Sequence, residues 1–325
     1  MTKFFLSFGI IVFGLALGYA LQVLAGRGIL RPPVPLDRLR LLLQKTALLF
    51  LNPVAIVGAV WIVHIRNASL AALPLLGLAA LLIGGLLALW AAKLMKLDPR
   101  KTGALFPCGS FTNIGSIGAL VCFVFLGESG FALVPVYKLF EETSYYAIGF
   151  PIAKYYSSGS KGGEKAFSRL RGLVTDPFIL VSVSSMLLGA CLNLSGLQRP
   201  AFYANVNAVF VPLATILLLT SIGLAMKFRS VRSYLKECVS VAAIKFFAVP
   251  LLVSSAAYLI GFGSIDGGLP LKVVILLSSM PVAFNALIPP SIYDLDLNLA
   301  NACWFFTTAS LVFILPVLLF VVNSL

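Results

Sequence analysis

Residues 106–120 read FPCGSFTNIGSIGAL and lie inside a strongly apolar region of the chain. Pro107 removes a backbone donor, three glycines weaken a helix further, and Ser110, Thr112 and Asn113 bring hydrogen-bonding groups. Within a membrane, broken backbone is tolerated only where it is buried in protein or lines a cavity. The stretch therefore predicts a broken helix at a binding site. The alternative is a face of small residues that packs against another helix.

A second interrupted stretch, residues 280–291, reads MPVAFNALIPPS inside another apolar segment. Pro281 and Asn285 repeat the residue types of Pro107 and Asn113. Interrupted hydrophobic segments at corresponding positions of two halves are the best sequence indication of a transporter's binding site. The presence of both stretches favours a binding site over simple helix packing.

The composition excludes a soluble domain. Of 325 residues, 60% are hydrophobic and 11% charged, and the mean hydropathy is +1.03. These values predict an all-α polytopic membrane protein. The formal charge of +13 then indicates the membrane surface rather than nucleic acid as its partner. Five scattered cysteines without a CxxC pattern, and His64 as the single histidine, predict neither a disulfide framework nor a metal site.

The apolar segments divide into ten predicted transmembrane helices, five in residues 1–156 and five in residues 177–325, with a polar connection at residues 157–176. Because five is odd, the second half enters the membrane from the opposite side, so the two halves form a 5+5 inverted repeat. The predicted spans are 4–25, 41–65, 70–94, 102–126, 131–156, 177–195, 201–226, 234–260, 271–293 and 298–322.

The charge distribution predicts the orientation. Eighteen of the 24 Lys and Arg residues lie in the connections after spans 1, 3, 5 and 7, and four lie on the other side. The positive-inside rule places the first set in the cytoplasm and both termini outside the inner membrane. Residues 157–176 are then cytoplasmic. Short acidic connections follow the broken spans 4 and 9, at residues 127–129 and 294–296, and we expect Glu128 to be solvated.

Span 5 carries the three ionisable residues Lys138, Glu141 and Glu142. Their offsets place them on one face of a helix, and intramembrane ionisable residues are functional candidates by default. One interpretation is that a glutamate takes up and releases a proton that is coupled to transport. The other is that Lys138 and Glu142 form an internal pair that neutralises itself.

Two further polar residues interrupt apolar spans. Asn52, followed by Pro53, lies in span 2. Its side chain either faces the substrate or bonds the backbone group that a proline kink leaves unpaired. Lys245 lies in span 8, and we expect its ammonium to reach the cytoplasmic surface by snorkelling.

The segment SSMPVAFNALIPPSIYDLDLNLANACWFFTTASLVFILPVLLFVV at residues 278–322 resembles the C-terminal end of auxin efflux carrier family transporters. The TNIGSIG segment of span 4 is similar to that family's Asn-x-Gly-x-x-Gly pattern. The resemblance implies the fold of the bile acid sodium symporters and sodium–proton antiporters. In that fold, spans 3–5 and 8–10 form a transport domain, spans 1, 2, 6 and 7 form a scaffold, and discontinuous helices 4 and 9 cross. The long central loop of the plant hormone exporters is absent, so the chain looks like a bacterial-type member.

The resemblance also implies a site and a partner. Pro107 and Pro281 mark the crossing, and half-helices that start there present positive dipole ends to a carboxylate. The family likeness implies a homodimer through the scaffold. The predicted substrate-binding residues are Asn52, Pro107, Ser110, Thr112, Asn113, Gly115, Pro281 and Asn285.

The sequence favours a secondary carrier for a small organic anion, moved by an elevator-type mechanism and coupled to a proton or sodium ion. The alternative is a sodium-coupled symporter of the bile-acid type, with oxygen ligands from Ser110, Thr112, Asn113, Glu141 and Asn285. A membrane sensor has no need of two broken spans. No HExxH, nucleophile–histidine pair or Walker sequence occurs, so we expect no enzymatic activity and no cofactor.

Overall fold

The computed structural model of the chain describes residues 2–30, 32–62, 68–157, 177–226 and 231–325. Its regular elements are all helical. Because several of these helices are apolar and long enough to cross a membrane, the chain is a polytopic helical protein whose environment is a lipid bilayer. His64 and residues 158–176, most of the predicted cytoplasmic connection, lie outside the described part. Seven described helices are long and apolar enough to cross a membrane: Thr2–Gly26, Leu36–Val60, Leu70–Leu94, Ile114–Tyr155, Phe202–Gly223, Val231–Leu259 and Leu297–Ser324.

The α-helices are numbered here in chain order. The first eight are α1 Thr2–Gly26, α2 Leu36–Thr46, α3 Asn52–Val60, α4 Leu73–Leu94, α5 Pro99–Ser110, α6 Ala119–Tyr137, α7 Glu141–Ser144 and α8 Phe150–Tyr155. The remaining seven are α9 Pro177–Leu194, α10 Phe202–Gly223, α11 Leu235–Ala243, α12 Val249–Leu259, α13 Leu269–Ser278, α14 Ile288–Ile292 and α15 Leu297–Ser324.

The predicted spans 1, 3, 7, 8 and 10 each correspond to one long apolar helix. Spans 4, 5 and 9 do not each match one continuous helix: α5 and α13 both end at a break, and the run Ile114–Tyr155 covers the rest of span 4 together with span 5. The count of ten therefore stays a prediction. The predicted acidic connection at residues 127–129 coincides with a break in α6 at Gly127, where φ is 74° and ψ is −165°.

One compact unit comprises residues 1–66, 115–135 and 176–227. Within it, α1 packs along α10, and the approach is close because glycines line it. A Cβ atom at Gly18 would lie 2.1 Å from the Thr220 carbonyl oxygen, and one at Gly223 would lie 2.4 Å from the Leu15 oxygen. Small residues allow such backbone proximity between apolar helices.

The acidic connection at residues 127–129 lies in this unit and contains an ion pair. Glu128 pairs with Arg199, and both side chains are largely buried. The same guanidinium donates to the Gly58 carbonyl oxygen at 2.9 Å. The expectation that Glu128 is solvated is therefore wrong, because an arginine from a distant connection neutralises it. In the predicted topology both connections lie on the same side of the membrane, as this contact requires.

The second compact unit comprises residues 67–114, 136–175 and 228–325. In it α4 packs on α5 and on α12, and α15 packs on α5 and α11. The contact between α4 and α5 is again made by glycines: a Cβ atom at Gly84 would lie 2.3 Å from the Gly109 carbonyl oxygen. For Gly109, the packing alternative drawn from the sequence is thus confirmed.

Proline explains three departures from regular helix. A proline lacks the N–H that would bond the carbonyl four residues earlier, and its ring crowds that carbonyl. A π-helical turn, which widens the helix locally, precedes each of three prolines and relieves the conflict. The turns are Ala47–Leu51 before Pro53, Tyr145–Gly149 before Pro151, and Ile244–Ala248 before Pro250.

Candidate functional site

The first break separates α5 from the π-helical turn at Ile114–Gly118. The helix runs through Pro107 and ends at Ser110, so the break falls one turn later than the proline itself. Phe111 is extended, with φ −78° and ψ 127°, and its N–H donates to the Pro107 carbonyl oxygen at 2.8 Å. The expectation of a broken helix in this stretch is met, with the interruption at residues 111–113.

The second break lies in the same unit and separates α13 from the 3₁₀ turn Phe284–Leu287. It contains Pro281, and Ala283 at its end is extended, with φ −69° and ψ 149°. The 3₁₀ turn leads directly into the short helix α14, which contains Pro289 and Pro290.

The two breaks are joined to each other by their backbones. Thr112 and Val282 form an isolated antiparallel bridge. The Asn113 N–H donates to the Pro281 carbonyl oxygen at 2.9 Å, and the Ala283 N–H donates to the Phe111 oxygen at 3.1 Å. These bonds satisfy groups that helix interruption would leave orphaned, which is the condition for non-helical backbone at membrane depth.

The Thr307 side chain, from α15, accepts a hydrogen bond from the remaining backbone N–H of the second break. The Val282 N–H donates to the Thr307 hydroxyl oxygen at 3.2 Å, and that hydroxyl in turn donates to the Cys303 carbonyl oxygen at 2.9 Å. Three elements of one unit therefore hold the pair of breaks in place.

Lys245 lies on the π-helical turn Ile244–Ala248 and brings a positive charge to the first break. Its side chain is 1% exposed. The ammonium donates to the Thr112 hydroxyl oxygen at 2.7 Å and to the Ser110 carbonyl oxygen at 3.1 Å. The second contact places a cation at the C-terminal end of α5, where the helix dipole is negative. The expected snorkelling of Lys245 to the surface is wrong, because these inward oxygens bind its ammonium.

The backbone of Thr112 also contacts a hydrogen-bonded network that contains the Glu141 carboxylate. The Tyr145 hydroxyl donates to Glu141 Oε1 at 2.5 Å and lies 3.4 Å from the Thr112 carbonyl oxygen. Glu141 Oε2 lies 3.5 Å from the Lys138 ammonium, and the Phe111 ring stacks on Tyr145 with centroids 3.8 Å apart. Thr112 therefore contacts a tyrosine linked to a buried carboxylate and, through its own hydroxyl, a buried ammonium.

The pairing in span 5 differs from the sequence interpretation. Lys138 pairs with Glu141 and not with Glu142. The three residues do not share one helix, because residues 138–140 form a turn and α7 begins at Glu141. That turn follows Pro135, and it directs Glu141 inward while Glu142 remains half-buried.

The other predicted binding residues take different places. The Ser110 hydroxyl donates to the Leu81 carbonyl oxygen at 2.9 Å, Asn113 is buried and Asn285 is exposed. Gly115 lies on the π-helical turn after the first break. Asn52 begins α3 and belongs to the first compact unit, so its role at the site stays a prediction. Within the described ranges no cluster of His, Cys, Asp and Glu could hold a metal ion.

The sequence alone assigns Lys245 to the cytoplasmic surface and gives Thr307 no role at the site. A signal existed for Lys245: Pro250 follows it in the same span, and a proline makes the preceding turn irregular. For Thr307 no comparable signal exists, since a threonine in an apolar helix commonly bonds its own backbone.

Two archaeal proteins, each named only an uncharacterized transporter, are similar to this chain. The protein of Methanothermobacter thermautotrophicus is 27% identical over 228 residues, which cover 70% of each chain. The protein of Methanocaldococcus jannaschii is 25% identical over 241 residues, covering 71% of this chain and 72% of its own. No family model matches the sequence. The relatives are transporters by name. Together with the membrane-length helices, this likeness supports a multi-pass membrane transporter.

Proposed function

We propose that this chain is a secondary carrier for a small organic anion, with a carboxylate as its preferred group. The observation that carries the proposal is the pair of hydrogen-bonded breaks at residues 111–113 and 279–283, with the Lys245 ammonium against the first. Helical turns resume immediately after each break, and helix N-termini favour anions. A nearby buried cation adds to that preference.

The proposed architecture is the ten-span inverted repeat of the auxin efflux carrier family, in which the two broken spans cross. Two features support it. Both breaks fall in the fourth span of a predicted half, and their backbones pair as antiparallel strands do. In the proposed elevator mechanism, spans 3–5 and 8–10 carry the site across the membrane, while spans 1, 2, 6 and 7 form the scaffold and a homodimer interface. The proposal assigns no catalysis to the chain and places both termini outside the inner membrane.

For coupling we favour the proton over sodium. Sodium at the first break would need a dense cage of oxygen ligands, but the Lys245 ammonium already takes the Ser110 carbonyl and the Thr112 hydroxyl. Glu141 is a buried carboxylate with a hydrogen-bond path through Tyr145 toward Thr112. That path links a titratable group to the proposed substrate position. A sodium-coupled symporter remains the alternative that the coupling measurement below tests.

The test is uptake into proteoliposomes that contain the purified protein. Carboxylates of increasing size are supplied together with their uncharged amides and with amines of the same size. The proposal expects saturable uptake of at least one carboxylate, driven by an imposed proton gradient and not by a sodium gradient. Uptake restricted to amines would contradict the anion assignment, and uptake driven only by sodium would favour the symporter.

A further inference from the structure

The C-terminal end of α4, the loop that follows it and the start of α5 surround an open cleft of about 510 Å³ within the second compact unit. Apolar side chains, including Leu89, Trp90 and Leu97, form part of its wall, and Lys93 and Lys96 also line it. The cleft is separate from the paired breaks and has no part in the proposed carrier site.

The two lysines of the cleft are not neutralised. Both are exposed, and within the described residues neither forms an ion pair with a carboxylate. Asp98, the acid nearest in sequence, is engaged elsewhere: it accepts from the Lys101 N–H at 2.9 Å and lies 3.9 Å from the Lys101 ammonium. The cleft therefore presents two positive charges to whatever occupies it.

Lys96 stands where the fold alone would favour glycine. Its φ is 52°, in the left-handed region, which ends many helices and which glycine adopts without strain. The Lys96 N–H donates to the Lys93 carbonyl oxygen at 3.1 Å, and the Leu97 N–H donates to the Ala92 oxygen at 3.0 Å. This tight end of α4 brings the two lysines to the same cleft.

An apolar stripe on α4 leads to the cleft. Leu82, Leu86, Trp90 and Leu94 recur every four residues and are 38%, 65%, 61% and 63% exposed. They occupy one face of a helix that is long enough to cross a membrane, so this face meets acyl chains. Trp90 belongs both to the stripe and to the cleft wall, which suits the position of tryptophan at the membrane–water interface.

We propose that this cleft binds an anionic phospholipid, with the phosphate of its headgroup at Lys93 and Lys96 and an acyl chain along the stripe. Basic pockets beside transmembrane helices on the cytoplasmic side recognise such headgroups, and the charge distribution assigns the connection after span 3 to that side. The continuity of the charged cleft with an acyl-facing surface selects a lipid over a soluble anion.

The experiment is native mass spectrometry of the delipidated, full-length protein in detergent, titrated with phosphatidylglycerol or with phosphatidylcholine of the same chains. We expect the protein to retain phosphatidylglycerol preferentially. In the double variant Lys93→Gln/Lys96→Gln, affinity for it falls about thirtyfold, by the usual contribution of two lysines near an anionic membrane surface. Trp90→Ala weakens both lipids, because it removes apolar wall and no charge.

The matched control is Lys45→Gln/Lys236→Gln, which removes two exposed lysines from the same predicted side but outside the cleft. Retention of phosphatidylglycerol by this control, with loss in the cleft variant, supports the proposal. Equal loss in both, or unchanged retention in the cleft variant, overturns it. Inorganic phosphate provides the last arm: if it displaces the lipid at equal concentration, the site recognises a free anion and the lipid assignment is wrong.

Discussion

The Lys245 ammonium lies 2.7 Å from the Thr112 hydroxyl oxygen, across 133 positions of sequence. This contact joins a π-helical turn of one apolar segment to the break of another. Both groups are buried, and a buried ammonium persists only with hydrogen-bonding partners or a counter-charge. The pair therefore places the Lys245 ammonium at the non-helical backbone where we propose that an anion binds.

Replacing Lys245 with methionine should reduce substrate exchange strongly while leaving a folded protein, because methionine fills a similar volume without the charge. Hydrogen bonds to charged groups contribute about 1.5–3 kcal/mol, so the loss should be about tenfold or more. The measurement is the initial rate of counterflow in proteoliposomes, with folding checked by thermal unfolding. Lys236→Met, an exposed lysine in the same predicted span, is the control. Equal rates in the two variants would contradict a role for Lys245.

Glu141→Gln should abolish coupling to a pH gradient while exchange of substrate survives, since glutamine keeps the shape and loses only the titration. Glu142→Gln is the matched control, because Glu142 is adjacent in sequence, whereas the ion pair with Lys138 and the hydrogen bond from Tyr145 are both made by Glu141. The measurement is uptake with and without an imposed pH gradient. Normal coupling in Glu141→Gln would remove this carboxylate from the mechanism.

A purely structural Lys138–Glu141 pair predicts a different pattern. Removing Glu141 alone would leave a buried cation, which is strongly destabilising, and the single variant would fold poorly. The double variant Lys138→Met/Glu141→Gln would then recover both folding and coupled transport. We expect the double variant to fold but to remain uncoupled.

The close approach of α4 and α5 predicts a stability effect. Gly109→Ala should lower the free energy of unfolding by about 1–3 kcal/mol, the usual range for overpacking, because its new methyl group would meet Gly84 and Ala88. Gly9→Ala is the control: it lies in α1 with no atom within 4 Å of the added carbon, and it should be neutral or slightly stabilising. The measurement is thermal or denaturant unfolding in detergent. Similar stability of the two variants would contradict the packing described here.

The charge distribution predicts that both termini face the outside. In a background without native cysteines, a membrane-impermeant reagent should label a cysteine added after Leu325 and should not reach one at Gly162, which lies outside the described residues. The opposite labelling pattern would reverse the orientation and with it the side assigned to the lipid cleft.

The sequence predicted the breaks well because their causes are local. Proline and clustered glycine destabilise a helix, so residues 106–120 and 280–291 predict helix breaks, and the structure contains both. The sequence does not indicate the exact position of the first break. The helix α5 continues through Pro107 to Ser110, since a helix tolerates a proline when neighbouring elements satisfy the freed carbonyl.

Long-range pairings were not predictable from the sequence. The position of Lys245 along its span allows snorkelling to the surface, and nothing local in the sequence indicates the buried oxygens that bind its ammonium. The alternative in which Lys138 pairs with Glu142 requires a continuous helix, whereas a turn at residues 138–140 selects Glu141. In both cases the partner depends on how distant or interrupted elements pack, and helical spacing carries no information on that.

The most direct test of the proposed anion site is substrate exchange by Asn113→Ala and Asn285→Ala, measured by counterflow of the best carboxylate from the panel. Each change removes an amide from one of the two broken stretches and no bulk packing group. We predict that both variants insert and unfold like the wild type but exchange substrate at least about tenfold more slowly, the loss expected for about 1.4 kcal/mol of binding. Normal exchange in both variants would show that the paired breaks are not the substrate site.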